Sequence, residues 1–247
     1  MRWRLLAELA RSDRQVHELT KLLVRPQNLV SYHLGKLRTA GLVSMRRSSA
    51  DARRAYYSVD LSHFAAQLGE TGAALHPGLR VAADTASLRR PRAGETPAVR
   101  VLFLCTGNSA RSQIAEAFTR TRSLGRVAAV SAGSHPKPLH PNAIRVMAEH
   151  GIDLGRHRSK HVDLYAGQRF DYVISLCDKV REVCPDFDGR PEVIHWSISD
   201  PAATSDGDDA SYPAFEAVAA DLATRVDFLL AAINDSRSRE PRGRRND

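Results

Sequence analysis

One cysteine and one arginine stand at a spacing suited to nucleophilic chemistry on an oxyanion. Cys105 is followed by five small or polar residues, then by Arg111 and Ser112. Gly107 and the other small residues let successive backbone N–H groups curl around a tetrahedral anion, and the guanidinium adds a two-pronged donor. The same surroundings favour a thiolate, so Cys105 is a candidate nucleophile; a buried cysteine that only ends a strand is the alternative. The expected oxyanion-binding residues are Thr106, Gly107, Asn108, Ser109, Ala110, Arg111 and Ser112.

The residues around this loop predict the elements that position it. The apolar, partly β-branched run at 99–104 predicts a buried strand, and a helix beginning near Arg111 would aim its N-terminus at the loop. Further strands are predicted at 126–131, 170–176 and 193–196, and further helices at 141–150 and 213–233. This alternation predicts an α/β three-layer domain with a central parallel sheet.

Two more cysteines follow one of these strands. Cys177 comes directly after the strand at 170–176, and Cys184 follows seven residues later. Three cysteines, with no signal peptide or long apolar segment, favour a reducing cytoplasm and catalytic thiols over a disulfide framework. On a helix this offset separates the sulfurs by about 10 Å, so a bond between them requires the segment to unwind. Two unrelated, half-buried thiols are the alternative.

Residues 99–233 resemble the low-molecular-weight tyrosine phosphatase superfamily and, within it, the thioredoxin-coupled arsenate reductases. The resemblance rests on the CTGNSARS loop, Ser-Ala-Gly at 131–133, Cys-x6-Cys-Pro from Cys177, and Asp200-Pro201. It implies that the loop cysteine attacks the oxyanion and that Asp200 protonates the departing oxygen.

In the reductase branch the resemblance also implies a relay of thiols. Cys177 would attack the thiol–arsenate adduct and release arsenite, and Cys184 would resolve the resulting disulfide. The implied catalytic residues are Cys105, Arg111, Asp200, Cys177 and Cys184, with no bound cofactor. The implied reductant is external, thioredoxin or a low-molecular-weight thiol.

Departures from the family pattern concern the substrate and a cation. Relatives that act on phosphotyrosine follow Asp-Pro with aromatic residues, whereas here Asp200-Pro201 is followed by Ala-Ala-Thr. Of the groups that bind a monovalent cation in some reductases, Asn108 and Ser131 match, but Lys160 stands at the downstream position. We therefore expect its ammonium to take the cation's place, without a potassium requirement. The scattered histidines lack metal-binding spacing, so no metal site is expected.

Charge divides the chain of 247 residues. The net charge is +8 over residues 1–98, −2 over 99–233 and +2 over 234–247. The length and a hydrophobic content of 43% allow two domains. We expect the first at 1–76, a linker rich in Pro, Gly and Arg at 77–98, the second at 99–233, and a disordered basic tail at 234–247.

The basic first domain has the pattern of a winged helix-turn-helix, an α+β fold. Helices are predicted at 4–9, 16–23 and 27–40, followed by strands at 42–47 and 53–59. In NLVSYHLGKLRTAGLV and YYSV, residues 3–60 resemble the ArsR family of bacterial repressors. The resemblance implies binding of double-stranded DNA, with the helix at 27–40 in the major groove. The predicted DNA-binding residues are Gln27, Ser31, Tyr32, Arg46, Arg47, Arg53 and Arg54.

This first domain departs from the arsenic-sensing repressors. There is no cysteine before Cys105, so it cannot bind arsenite through thiolates. The chain begins almost inside a helix, and we expect the helix that usually precedes it to be absent. Residues 61–75 are a candidate for a homodimer contact; packing of their apolar stripe on their own domain is the alternative. The alternatives to a DNA-linked reductase are a tyrosine phosphatase and a regulator that senses an oxyanion without turnover.

Overall fold

The computed structural model describes residues 1–75, 99–182, 187, 189–203 and 208–239. Residue 76, the predicted linker at 77–98, Cys184 and the end of the tail therefore lie outside the described residues. Its helices are α1 (Arg2–Arg11), α2 (Val16–Leu23), α3 (Gln27–Thr39), α4 (Leu61–Leu75), α5 (Arg111–Arg122), α6 (Pro141–Glu149), α7 (Asp178–Glu182) and α8 (Asp208–Arg239). Its strands are β1 (Val43–Arg47), β2 (Ala55–Val59), β3 (Val99–Cys105), β4 (Val127–Gly133), β5 (Tyr172–Ser175) and β6 (Glu192–His195). Within the described part of the chain, no helix is long and apolar enough to cross a membrane.

The N-terminal elements form the predicted winged helix-turn-helix. Helix α2 ends at Val24, whose φ of 51° is left-handed, and Pro26 then starts the chain into α3. Strands β1 and β2 pair antiparallel from Val43 opposite Val59, and residues 43–59 are called the wing below. The apolar faces of α1, α2 and α3 meet in one core with the base of the wing. The winged-helix prediction is confirmed.

The C-terminal elements form an α/β domain around a four-stranded parallel sheet in the order β4-β3-β5-β6. Central strand β3 is apolar and buried from Val101 to Cys105 because it is covered on both sides. On α8 the predicted apolar stripe faces the core; its members are Phe215, Val218, Leu222, Val226, Leu229 and Ile233. The predicted fold class is confirmed, with one correction: α8 runs on to Arg239, so residues 234–239 are helical.

The two domains share a polar interface. Asp13 is buried, and its carboxylate accepts a hydrogen bond from the Ser197 N–H at 2.7 Å and pairs with Arg225 at 3.1 Å. The Asp13 N–H in turn donates to the His195 carbonyl at 2.7 Å. A more exposed ion pair joins Arg11 to Glu192 at 3.2 Å. These contacts bind the winged helix to the end of the parallel sheet, beside the elements that follow β5 and β6.

Candidate active site

The loop that begins at Cys105 joins the central strand β3 to helix α5. Cys105 is the last residue of β3, only 2% exposed, and lies in register with Gly133 of β4. Helix α5 begins at Arg111, and the preceding Ala110 offers no side-chain cap. The first N–H groups of a helix have no partner inside the helix. They are therefore directed at the same loop and can serve an anion held there.

Asn108 gives the loop its shape. Its φ of 46° places it in the left-handed region, and its N–H donates to the Cys105 sulfur at 3.2 Å. The Lys160 N–H donates to Asn108 Oδ1 at 2.8 Å, which turns the amide nitrogen toward Ser112 Oγ and Ser131 Oγ, both at 2.9 Å. Sequence analysis credited Gly107 with this freedom, but the left-handed turn belongs to Asn108.

Ser112 completes the surroundings of the candidate nucleophile. Its Oγ lies 3.0 Å from the Cys105 sulfur and already accepts from the Asn108 amide. The hydroxyl proton is therefore free to point at the sulfur. A thiolate here would receive one hydrogen bond from a backbone N–H and one from a hydroxyl, both of which stabilise the charged form.

Gly133 explains the Ser-Ala-Gly motif sterically. A β-carbon at this position would lie 2.6 Å from the Thr106 carbonyl oxygen, 2.8 Å from the Asn108 nitrogen and 3.0 Å from the Cys105 carbonyl oxygen. All three atoms belong to the loop backbone. The end of β4 must therefore lack a side chain for the loop to close over it.

A buried acid, Glu116, lies behind the loop. Ser131 Oγ donates to Glu116 Oε2 at 2.6 Å, and the Lys160 ammonium lies 3.4 Å from the same oxygen. The ammonium thus compensates a carboxylate whose side chain is only 4% exposed. This is the neighbourhood in which the sequence predicts Lys160 to replace a cation. Sequence analysis did not identify Glu116, whose only signal is an acidic residue on the buried face of a helix.

Arg111 and Asp200 meet at the mouth of the loop. Arg111 is buried, donates to the Ile198 carbonyl at 2.9 Å, and pairs with Asp200 Oδ2 at 3.3 Å. The Asp200 side chain is 52% exposed, so its carboxyl group is open to solvent at the mouth of the loop. Its Oδ1 also accepts from the Ala202 N–H at 3.3 Å, so it shapes the turn as well.

The second thiol lies beside the first part of the loop. Strand β5 lies next to β3, and the Leu176 N–H continues this pairing by donating to the Leu104 carbonyl at 2.7 Å. Cys177 then follows, buried, with its sulfur 3.3 Å from Thr106 Oγ1. The structure thus brings Cys177 to the loop of Cys105. Its predicted partner Cys184 lies outside the described residues.

Next along the chain, Asp178 was not identified from the sequence, although it directly follows Cys177. Its carboxylate is completely buried and accepts hydrogen bonds from His195, Ser197 and the wing. Burial alone would raise the pKa of Asp178. The hydrogen bonds, led by that from His195, outweigh burial and hold the pKa far below its usual range.

The predicted DNA-binding residues fall into two groups. Most are exposed, on α3 or at the tip of the wing: Gln27, Ser31, Tyr32, Arg47, Arg53 and Arg54. Arg46 differs, because its guanidinium lies against the second domain. It donates to Asp178 at 2.7 Å, to the Ser197 carbonyl at 3.0 Å, and to Ser197 Oγ. The prediction that Arg46 faces DNA is therefore corrected: in this arrangement its donors serve the domain interface.

Two known protein families match separate parts of this chain. Residues 100–239 match the sequence model of the low molecular weight phosphotyrosine protein phosphatases, and residues 1–45 match that of the bacterial regulatory proteins of the arsR family. An arsenate reductase of Halalkalibacterium halodurans is 34% identical over 126 residues, which are 51% of this chain and 91% of that protein. A glutaredoxin arsenate reductase of Synechocystis sp. is 33% identical over 135 residues, 55% of this chain and 98% of that protein.

Among solved structures, an arsenate reductase in its oxidized state is 32% identical, with a TM-score of 0.48, over 54% of this chain and 98% of that chain. These relatives match only the second domain. Its loop, buried second thiol and parallel sheet lie within the residues that the phosphatase family covers. Through residues 100–239 the chain belongs to the low molecular weight phosphotyrosine protein phosphatase family, and an arsR-family segment precedes that region at residues 1–45.

Proposed function

We propose that the second domain is an arsenate reductase and that the first binds DNA. The observation that carries the first part is the buried Cys177 sulfur, 3.3 Å from Thr106 Oγ1. A phosphatase needs a nucleophile, an arginine and an acid, but no second thiol beside its loop. The curated relatives named above are arsenate reductases, which supports the same choice.

The first chemical step uses the loop. Arsenate enters with its oxygens on the N–H groups at the start of α5 and on the Arg111 guanidinium. The Cys105 thiolate attacks arsenic, Asp200 donates a proton to the departing oxygen, and water leaves. The product is a thiol–arsenate adduct in which arsenic is still As(V).

The second step is the reduction. The Cys177 thiol loses its proton and attacks the Cys105 sulfur of the adduct, so that a Cys105–Cys177 disulfide forms. The electron pair of the broken sulfur–arsenic bond stays on arsenic, which leaves as arsenite, As(III). Two thiols have then supplied the two electrons.

The last step restores the nucleophile. Cys184 attacks Cys177 and frees Cys105, and an external dithiol reduces the Cys177–Cys184 disulfide. The role of Cys184 rests on the Cys-x6-Cys-Pro resemblance. We take thioredoxin as the reductant. The Synechocystis relative is named a glutaredoxin arsenate reductase, so a system of glutaredoxin and glutathione is the alternative reductant to test beside thioredoxin.

The test is turnover. Purified chain is mixed with arsenate, thioredoxin, thioredoxin reductase and NADPH, and a parallel reaction contains glutaredoxin, glutathione and glutathione reductase. We expect arsenate-dependent NADPH oxidation in the thioredoxin reaction. Hydrolysis of p-nitrophenyl phosphate with no arsenate reduction in either reaction would favour the phosphatase. Arsenate binding with neither activity would favour an oxyanion sensor.

The DNA-binding proposal rests on exposure and charge. Gln27, Ser31 and Tyr32 lie exposed on α3, with Tyr32 60% exposed, where a recognition helix presents side chains to base edges. Arg47, Arg53 and Arg54 are exposed on the wing, where they can reach phosphate. A fluorescently labelled duplex titrated with the full chain tests this. A lack of binding at low salt would contradict it.

A further inference from the structure

The carboxylate of Asp178 is divided between the two domains. Its Oδ1 lies 2.7 Å from Ser197 Oγ and 3.1 Å from His195 Nε2, both in the second domain. Its Oδ2 accepts three hydrogen bonds from the wing, which come from Arg46 Nη2 at 2.7 Å and from the N–H and Oγ of Ser49 at 2.7 and 3.1 Å. One carboxylate oxygen of Asp178 is therefore hydrogen-bonded within the second domain, and the other is hydrogen-bonded to the first domain.

Because the Asp178 carboxylate is buried, it needs hydrogen-bond donors from the protein. An ionised carboxylate is tolerated away from water only when its oxygens are hydrogen-bonded or paired with a cation. Asp178 has no exposed surface, and Arg46 is the cation that pairs with it from the wing. Without the wing, Oδ2 would lose all three of these donors.

The N-terminal domain also holds the far end of the same short helix. Arg181, one turn along α7, pairs with Glu18 of α2. Its guanidinium lies 5.1 Å from the centre of the Tyr56 ring of the wing. That ring packs in turn on His195, with the ring centres 4.7 Å apart. Both ends of the segment 178–181 are thus fixed by residues of the winged helix.

Cys177 precedes this segment directly, so its position depends on the same contacts. Its sulfur has to reach the Cys105 sulfur in a fixed geometry, and a displacement of roughly 1 Å can slow such a step by about 10²-fold. We propose that Arg46 and Ser49 of the wing are positioning residues of the reductase: by holding Asp178 they hold the Cys177 thiol at the Cys105 loop. This inference rests on the proposed reductase function.

Phosphatase activity provides the internal control. Hydrolysis of p-nitrophenyl phosphate requires Cys105, Arg111 and Asp200 but not Cys177. Arg46→Met keeps the length of the side chain and removes the charge that faces Asp178. We expect it to lower arsenate turnover by at least tenfold and to leave p-nitrophenyl phosphate hydrolysis within threefold of the unsubstituted chain. Arg46→Lys, which restores a cation with fewer donors, should recover part of the loss.

Arg11→Met is the matched control at the same interface. Arg11 pairs with Glu192 across the two domains, but both side chains are exposed, and this ion pair includes no residue of α7. We expect this variant to retain both activities. Equal arsenate turnover in Arg46→Met and Arg11→Met would overturn the proposal. An equal fall of both activities in Arg46→Met would also overturn it, because the wing would then support the whole domain.

A second measurement is independent of arsenate. Cys177 is buried, so iodoacetamide should modify it slowly, and peptide mapping can follow each cysteine separately. Arg46→Met should speed the modification of Cys177 at least tenfold without a similar change at Cys105. If the chain reduces no arsenate, the proposed function fails, and this readout still decides whether the wing holds Cys177. An unchanged rate at Cys177 would show that it does not.

Discussion

Replacement of Gly133 by alanine should damage catalysis although residue 133 lies at the end of β4 and not in the loop. The new β-carbon would lie 2.6 Å from the Thr106 carbonyl oxygen, and an ordinary contact begins at 3.4 Å. The loop must therefore move away by about 0.8 Å, and a misplacement of roughly 1 Å costs about 10²-fold in rate. The movement includes Asn108, whose N–H donates to the Cys105 sulfur. We expect kcat to fall about 30- to 100-fold, roughly 2 to 3 kcal/mol in the barrier.

The assay is the steady-state hydrolysis of p-nitrophenyl phosphate, with circular dichroism and thermal melting to check the fold. Gly69→Ala is the control, because a β-carbon at Gly69 meets nothing within 4 Å and the residue lies in helix α4. That substitution should leave kcat unchanged and favour the helix by about 1 kcal/mol. A kcat for Gly133→Ala within threefold of the unsubstituted chain would refute the steric explanation of the motif.

Cys105→Ser should abolish both reactions; residual turnover above about 1% would exclude Cys105 as the nucleophile. Cys177→Ser should keep phosphate-ester hydrolysis and lose arsenate turnover. Cys184→Ser should release one arsenite per chain and stop as a Cys105–Cys177 disulfide, which peptide mapping would identify. Multiple turnover of arsenate by both variants would contradict the relay. DNA binding by a fragment of residues 1–76 should weaken with salt and be unaffected by micromolar arsenite, because this part of the chain contains no cysteine; release of a labelled duplex by arsenite, measured by fluorescence anisotropy, would contradict the prediction. Because the pKa of Asp178 is lowered by folding, its contribution to stability is present at neutral pH and is lost as pH falls below about 4, so denaturant melts of Asp178→Asn should show a weaker acid dependence than the unsubstituted chain.

Local patterns were sufficient to predict most of the fold. The period of 3.6 marked α2, α3 and α8, and the alternation around a short polar turn marked the wing. One residue shows the limit of this method: the apolar pattern of α3 comprises Leu29, Val30, Leu34 and Leu37, but Leu29 is 39% exposed. Leu29 and Val30 are neighbours 100° apart around the helix, and only Val30 points into the core.

The candidate site was predictable where its residues lie close together in sequence. The loop from Cys105 to Ser112 is one continuous segment, and the residues on either side of it predict strand β3 and helix α5. The contact between Arg46 and Asp178 joins residues 132 positions apart in different domains. No local period encodes such a pair, and a run of arginines on a wing is typical of DNA contact. The left-handed turn at Asn108 was missed for another reason, since glycine next to it was the simpler choice.

The ion pair of Asp13 and Arg225 joins the two domains and couples their stabilities. Arg225 lies on α8, whose apolar stripe fills the core of the second domain, while Asp13 follows α1 of the first. A substitution that removes one of these two charges would leave the other without its partner at the domain interface, and the loss of one partner of a buried pair typically costs about 3 to 5 kcal/mol. We therefore expect the two domains to unfold together, so that a substitution at Asp13 in the first domain also lowers the stability of the second.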